Sequence, residues 1–210
     1  EGKPWMYGQL IAKFDFPIFK TDEALKAERD SMMKHFQPYF NVAPAAEQKK
    51  ISEFRNAYRN GIPGLPQEYV EVIARRLHEV YEAGIIDPQQ YSTLVKDSDN
   101  LIRVVTGKQA VSVPISKTFS TLGAYEHLFM DPVLGPKRSV LQQCNLNEYI
   151  EPNLVYDKDR SETEMNDMLS LIPQASGMVL EGQRIIDRGD IVDAKTYRVL
   201  NSFEQAMEKR

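Results

Sequence analysis

The sequence predicts an α+β fold, mainly helical, with a small β-sheet or barrel-like unit near the C-terminal half. Three observations carry that expectation. Apolar residues recur at helical spacing through most of the chain, β-branched runs at 101–113 flank a Thr-Gly-Lys-Gln turn, and glycines punctuate short apolar runs across 176–192.

The opening, from Trp5 and Tyr7 through Phe14-Asp15-Phe16-Pro17-Ile18-Phe19, alternates aromatic and polar residues and reads as extended chain or an edge strand. Thr21-Asp22-Glu23 places acidic side chains at a helix start, and Leu25, Met32 and Phe36 form one stripe as far as Pro38. After Pro44, residues 47–60 carry Ile51, Phe54 and Tyr58 at helical spacing, with Gly61 suited to a left-handed cap. Residues 67–83 hold the clearest amphipathic pattern, with Val70, Ile73, Ala74, Leu77, Val80 and Tyr81 on one face and Gly84 as the stop. Asp87-Pro88-Gln89-Gln90 supplies an N-cap, Pro at the first helical position and Gln at the third. A short helix to about Lys96 follows, with Tyr91, Leu94 and Val95 inward.

Leu101–Val105 and Ala110–Val113 predict a hairpin. Residues 116–129 read as a helix with Phe119, Leu122, Tyr125 and Leu128 on one side, and 136–144 as the start of another. Ser161-x-x-Glu164 has the form of a capping box before Met165, Met168, Leu169 and Ile172, and Pro173 ends that helix. Residues 178–180, 184–187 and 191–192 read as three short strands turned by glycines, forming the β unit together with 101–113. Asp193 then caps a last helix that buries Tyr197, Leu200, Phe203 and Met207.

The 210 residues suffice for one large domain, here taken as 1–210 with a possible subdivision near 145–155. Net charge is −4 and the pI about 5.5, without the basic excess that phosphate backbones attract, so nucleic acid is not an expected partner. One cysteine, Cys144, excludes an internal disulfide framework and any multi-cysteine zinc site. The longest uncharged stretch, Met168–Leu180, falls short of the roughly 20 apolar residues a membrane span needs. The chain begins at Glu1 without a leader pattern, and a processed protein or a fragment of a larger one is expected.

The residues offer little reaction chemistry. His35, His78 and His127 lack the i, i+4 pairing of helical zinc ligands and are expected at the surface or satisfied in packing. Asp157-Lys158-Asp159-Arg160-Ser161 opens like a calcium loop, but Glu162 stands where the turn needs Gly and Met168 where a bidentate carboxylate is needed. No nucleophile elbow, Walker A loop or dinucleotide fingerprint occurs. Cys144 has no placed histidine partner, and Arg188-Gly189-Asp190 is explained by a tight turn. Lys49, Lys50, Arg55 and Arg59 give the second helix a modest basic face, open to anionic headgroups or simply solvated.

Glu151-Pro152-Asn153-Leu154-Val155-Tyr156-Asp157, then Gly182-Gln183-x-Ile185-Ile186-x-x-Gly189-x-x-Val192 and Tyr197-x-x-Leu200, resembles the extracellular domain of bacterial seven-transmembrane HD-hydrolase receptors, of the cyclic di-AMP phosphodiesterase type. The opening Leu10-Ile11-Ala12-x-Phe14-Asp15-Phe16-Pro17-Ile18 is similar to that family as well. The resemblance implies an extracytoplasmic, periplasmic or cell-surface domain, tethered in the full-length protein to its own transmembrane bundle. The hydrolase would be cytoplasmic and lie outside this chain, so no catalytic, metal or cofactor residue is assigned. Pro152, Asn153, Asp157, Gly182, Ile185, Gly189, Val192, Tyr197 and Leu200 are expected to hold the fold.

The expected function is signal input, through an unknown ligand or envelope protein, to a receptor that hydrolyses cyclic dinucleotides. The alternative is a scaffold that docks an envelope protein or cell-wall polymer without signalling; an independent periplasmic enzyme comes last. A sensor calls for a pocket with a few convergent polar groups, a docking module for an exposed apolar patch. If both ends approach one membrane, they must emerge on one side of the domain. Trp5 and Tyr7 suit either a headgroup region or an anchor in the core.

Overall fold

The computed structural model describes residues 1–96 and 100–210. In chain order the first half comprises β1 (Leu10–Ile11), β2 (Phe16–Phe19), α1 (Asp22–Lys34), β3 (Tyr39–Val42), α2 (Pro44–Ala57), α3 (Glu68–Ala83), β4 (Ile85–Ile86) and α4 (Pro88–Leu94). The second half comprises β5 (Leu101–Thr106), β6 (Gln109–Pro114), β7 (Phe119–Ser120), α5 (Thr121–Leu128), α6 (Arg138–Leu141), β8 (Leu154–Tyr156), α7 (Lys158–Ser170), β9 (Ala175–Val179), β10 (Arg184–Ile186) and α8 (Ala194–Glu208). Helices with small open sheets make this an α+β protein, and no sheet closes into a barrel among the described residues. The chain forms two compact units, one of residues 1–36 with 164–210, the other of residues 37–163.

The first unit joins both ends of the sequence. β1 pairs antiparallel with β10, and β2 with β9, so that Phe16 faces Val179 across the ladder. A further bridge joins Pro4 to Ile191. α8 lies on β2, where Phe203 meets Phe14 and Phe16 at ring-centroid distances of 5.7 and 5.1 Å, within the range of favourable aromatic packing. The Ser202 hydroxyl accepts from the Phe19 amide at 2.9 Å. Two expectations change here. The glycine-turned strands of 176–192 pair with the opening segment rather than with one another, and they share no sheet with 101–113. Short strands separated by tight turns need a partner ladder, and the apolar alternation of Phe14, Phe16 and Ile18 supplies one. α1 starts at the acidic pair Asp22 and Glu23 as expected, and Thr21 caps it, Oγ1 accepting from Ala24 N at 3.1 Å, yet it buries no residue fully.

In the second unit, α2, α3 and α5 pack around Phe54, Ile73, Leu77, Val80 and Tyr81. A four-stranded sheet of order β6-β5-β3-β8 stands beside them; β3 and β5 run parallel and the other pairs antiparallel. One face of it, with Phe40, Ile102 and Leu154, is covered by Ile86, Tyr91 and Leu94. The predicted hairpin is β5–β6, turned at Gly107 with φ of 60°. Asp87 Oδ1 accepts from the amides of Gln89 and Gln90 at 3.0 and 3.3 Å, as the cap reading requires. Val95, expected inward, is exposed one residue past α4.

Three helix starts differ from expectation. α2 begins at Pro44, because proline is favourable in the first turn, where no amide donor is needed. The 116–129 segment is a helix only from Thr121, where Ser120 accepts from the Gly123 amide at 3.0 Å; Phe119 and Ser120 instead pair parallel to β4. α7 begins at Lys158, ahead of the capping box. Asp157 Oδ1 accepts from Arg160 N at 3.1 Å, and the buried Ser161 hydroxyl turns away from the helix end to accept from Tyr39 N at 2.9 Å.

Candidate functional site

Of the residues that carry the resemblance, Asn153 is the most constrained. It is buried; its Oδ1 accepts from Ile85 N at 2.7 Å and its Nδ2 donates to Tyr81 O at 2.8 Å. Its own amide donates to Ile85 O and its carbonyl accepts from Ala43 N. One residue thereby ties the end of α3 to β4 and the start of β8. Pro152 precedes it, half-buried. Asp157 caps α7 and accepts from Asn41 Nδ2 at 3.0 Å; the Arg160 amide, then that side chain, hold its carboxyl below its ordinary range.

The other marked positions lie in the first unit. Gly182 and Gly189 adopt φ of 83° and 88°, left-handed values that a side chain would strain. Ile185 lies within β10, partly buried against the cluster of Phe16 and Phe203, and the buried Val192 follows the Pro4–Ile191 bridge. The sequence predicts that Tyr197 and Leu200 pack α8 on the small sheet. Instead Leu200 is half-buried and Tyr197 is 42% exposed, because the face of α8 on the sheet carries Val199, Ser202, Phe203 and Ala206. Met207 is exposed as well. Trp5 is half-buried, its ring edge-on to the exposed Tyr7 at 5.0 Å.

The structure assembles a ligand-sized groove that no sequence motif marks. In the second unit, Pro38 and Phe40 from β3 and its approach, Tyr156 from β8, and Gln89, Gln90, Thr93 and Leu94 from α4 line a groove of about 340 Å³. Its walls are mainly apolar, with Phe40 and Tyr156 in tilted contact at 5.6 Å. The three polar side chains, Gln89, Gln90 and Thr93, all come from one face of α4. The Thr93 hydroxyl donates to Gln89 O at 3.1 Å, while the Gln89 and Gln90 side-chain amides have no hydrogen bond among the described residues. It is an open groove rather than a closed cavity.

Nucleophilic chemistry gains no support from the geometry. His78 Nδ1 contacts Glu47 and Nε2 lies 3.5 Å from Glu82, so both ring nitrogens face carboxylates, and no hydroxyl or thiol is hydrogen-bonded to the ring among the described residues. The hydrogen bond to Glu47 raises the His78 pKa against the opposing effect of burial. Cys144 is 2% exposed, and burial pushes its thiol up, away from the reactive thiolate. His127 packs on Phe119 at 4.8 Å, and His35 closes α1. The basic face of α2 is partly neutralised: Lys50 lies 3.6 Å from Glu53 and Arg55 3.3 Å from Glu71. Among the described residues no three His, Cys, Asp or Glu are placed to hold a metal ion, and no helix is long and apolar enough to cross a membrane.

The model of the family described as 7TM-HD extracellular matches residues 9–205. No curated protein and no solved structure matches the chain.

Proposed function

The chain belongs to the 7TM-HD extracellular family, and we propose that it is the signal-input domain of a seven-transmembrane receptor whose cytoplasmic HD domain hydrolyses cyclic dinucleotides, cyclic di-AMP among them. In this reading a ligand enters the groove between α4 and the β3–β8 edge. Its unequal affinity for two receptor states shifts their populations, and only such a difference transmits a signal.

One observation carries the reading beyond family membership. Both edges of the matched span belong to the same unit, and Trp5 lines one groove with Met207 and Glu208 of the last turn of α8. The two ends of the domain therefore lie together, as a single membrane below them requires.

The test is cyclic di-AMP hydrolysis by the full-length receptor in native membrane vesicles, comparing the intact protein with Thr93→Trp and with a form in which residues 9–205 are replaced by a short linker. Thr93 is exposed, so the indole fills the groove without disturbing the core. The reading expects both changes to move the hydrolysis rate. Rates equal to the intact receptor's in both variants would overturn it.

A docking role has its own support in the first unit, where Met6, Tyr7, Ile191, Tyr197 and Met207 are all exposed. A partner of a docking module would cover such apolar side chains where they adjoin one another, as the edge-on rings of Trp5 and Tyr7 do at 5.0 Å.

A further inference from the structure

A second groove in residues 37–163 lies between α2 and α3 and has a different chemical character. It holds about 420 Å³ over a floor of Ile51 and Ala74, and its walls carry Glu47, Gln48, Ser52 and Arg55 from α2 with Arg75 and His78 from α3. Most of these charges are already matched. Glu47 is engaged by His78, and Arg55 reaches Glu71 at 3.3 Å. Arg75 is exposed and has no carboxylate within ion-pair distance among the described residues. The side chains of Gln48 and Ser52 likewise have no protein hydrogen-bond partner among those residues.

We propose that this groove binds a small oxyanion, a carboxylate or a phosphoryl-type group, held by the Arg75 guanidinium with the Gln48 amide and the Ser52 hydroxyl as further donors. A guanidinium pairs with two oxygens of such a group at once, a geometry that a single ammonium or amide does not supply. This site is separate from the α4 groove, and its existence does not depend on the receptor reading.

His78 sets the charge of the groove. The groups facing it are Glu47 from α2 and Glu79 and Glu82 from α3, with Arg75 one turn away on its own helix. While the imidazole is protonated, Glu47 is neutralised and the charge of Arg75 stands uncompensated. Loss of the proton at higher pH uncovers the Glu47 carboxylate, which repels an incoming anion.

The experiment is isothermal titration of the 210-residue chain with sodium sulfate and, separately, sodium acetate at constant ionic strength, at about pH 6 and about pH 8.5. Neither anion changes its charge appreciably over that range. The expected result is saturable binding to one site, several-fold tighter at the lower pH. Arg75→Gln should weaken it about tenfold, the equivalent of one charge-assisted hydrogen bond. His78→Gln should remove the pH dependence, and Lys49→Gln, on α2 but outside the groove, should bind as the parent does. A preference for sulfate assigns the site to tetrahedral dianions, and one for acetate to carboxylates. No saturable binding of either anion up to about 50 mM, or equal binding by Arg75→Gln, overturns the proposal. Because it reads the isolated chain, a failure here leaves the receptor reading to its own hydrolysis assay.

Discussion

Asn153 Nδ2 donates to the carbonyl oxygen of Tyr81 at 2.8 Å, joining the last turn of α3 to the segment that enters β8. The same side chain accepts from Ile85 N at 2.7 Å, and both bonds are buried. Asn153→Ala leaves a buried carbonyl and a buried amide unpaired and should cost about 2–4 kcal/mol. Urea denaturation checks this, and a loss below about 0.5 kcal/mol would show that water or backbone movement satisfies both groups.

Gly84 takes φ of 104°, and a Cβ there would lie 2.4 Å from Leu154 Cδ1. Gly107 also has positive φ, at 60°, but a Cβ on it would have nothing within 4 Å. Gly84→Ala therefore carries backbone strain plus a clash, and Gly107→Ala the strain alone. The first should be the more destabilising by about 1–3 kcal/mol. Equal thermal shifts in the two variants would mean that the Leu154 side chain yields freely.

Asp131 is buried, and its Oδ1 accepts from the amides of Val133 and Leu134 at 2.8 and 3.1 Å. Its Oδ2 meets Arg76 Nε at 2.5 Å. Burial pushes the carboxyl upward, but the two amides and the guanidinium outweigh it and the net shift is downward. A carboxyl lowered in the folded state stabilises the protein above its unfolded pKa, about 3.9, and that contribution is lost as pH falls through the lower folded value. The stability gap between the parent and Asp131→Asn should accordingly be constant from neutral pH to about 5 and shrink below about 4. Urea midpoints across that range measure it, and a gap unchanged at about pH 3 would contradict the assignment.

Cys144 is 2% exposed, with its thiol pushed up by burial. Ellman's reagent should leave the native chain unmodified over hours and react with one thiol per chain once denaturant is added. Prompt reaction under native conditions would show that the segment around α6 opens. The same inertness makes single-cysteine labelling at exposed positions such as Leu122 selective.

Local signals were legible wherever a residue acts on its own neighbours. The stripe from Val70 to Tyr81 does become the buried face of α3, and Asp87 and Asp193 do cap their helices. The hairpin around Gly107 follows from its own turn. The α4 groove was not legible, because Pro38, Phe40, Leu94 and Tyr156 belong to separate segments and none is unusual in its local context. The polar face of that short helix, Gln89, Gln90 and Thr93, was the one trace available, and the cap already accounts for Gln90.

By itself the sequence determined the class of the fold, most of its helices with their caps, and the family, since periodicity and capping depend on residues three or four apart. The tertiary structure decided which strands pair. β1 and β2 could not choose β10 and β9 until the two ends of the chain met, and that meeting turns Tyr197 outward and brings Trp5 beside Met207. It also decided the chemistry of the second unit, for His78 acquires Glu47, and Asn153 acquires Tyr81, only across elements that packing brings together. Backbone pairing and buried polar bonds are long-range, and their register is written in contacts rather than in any local run of residues.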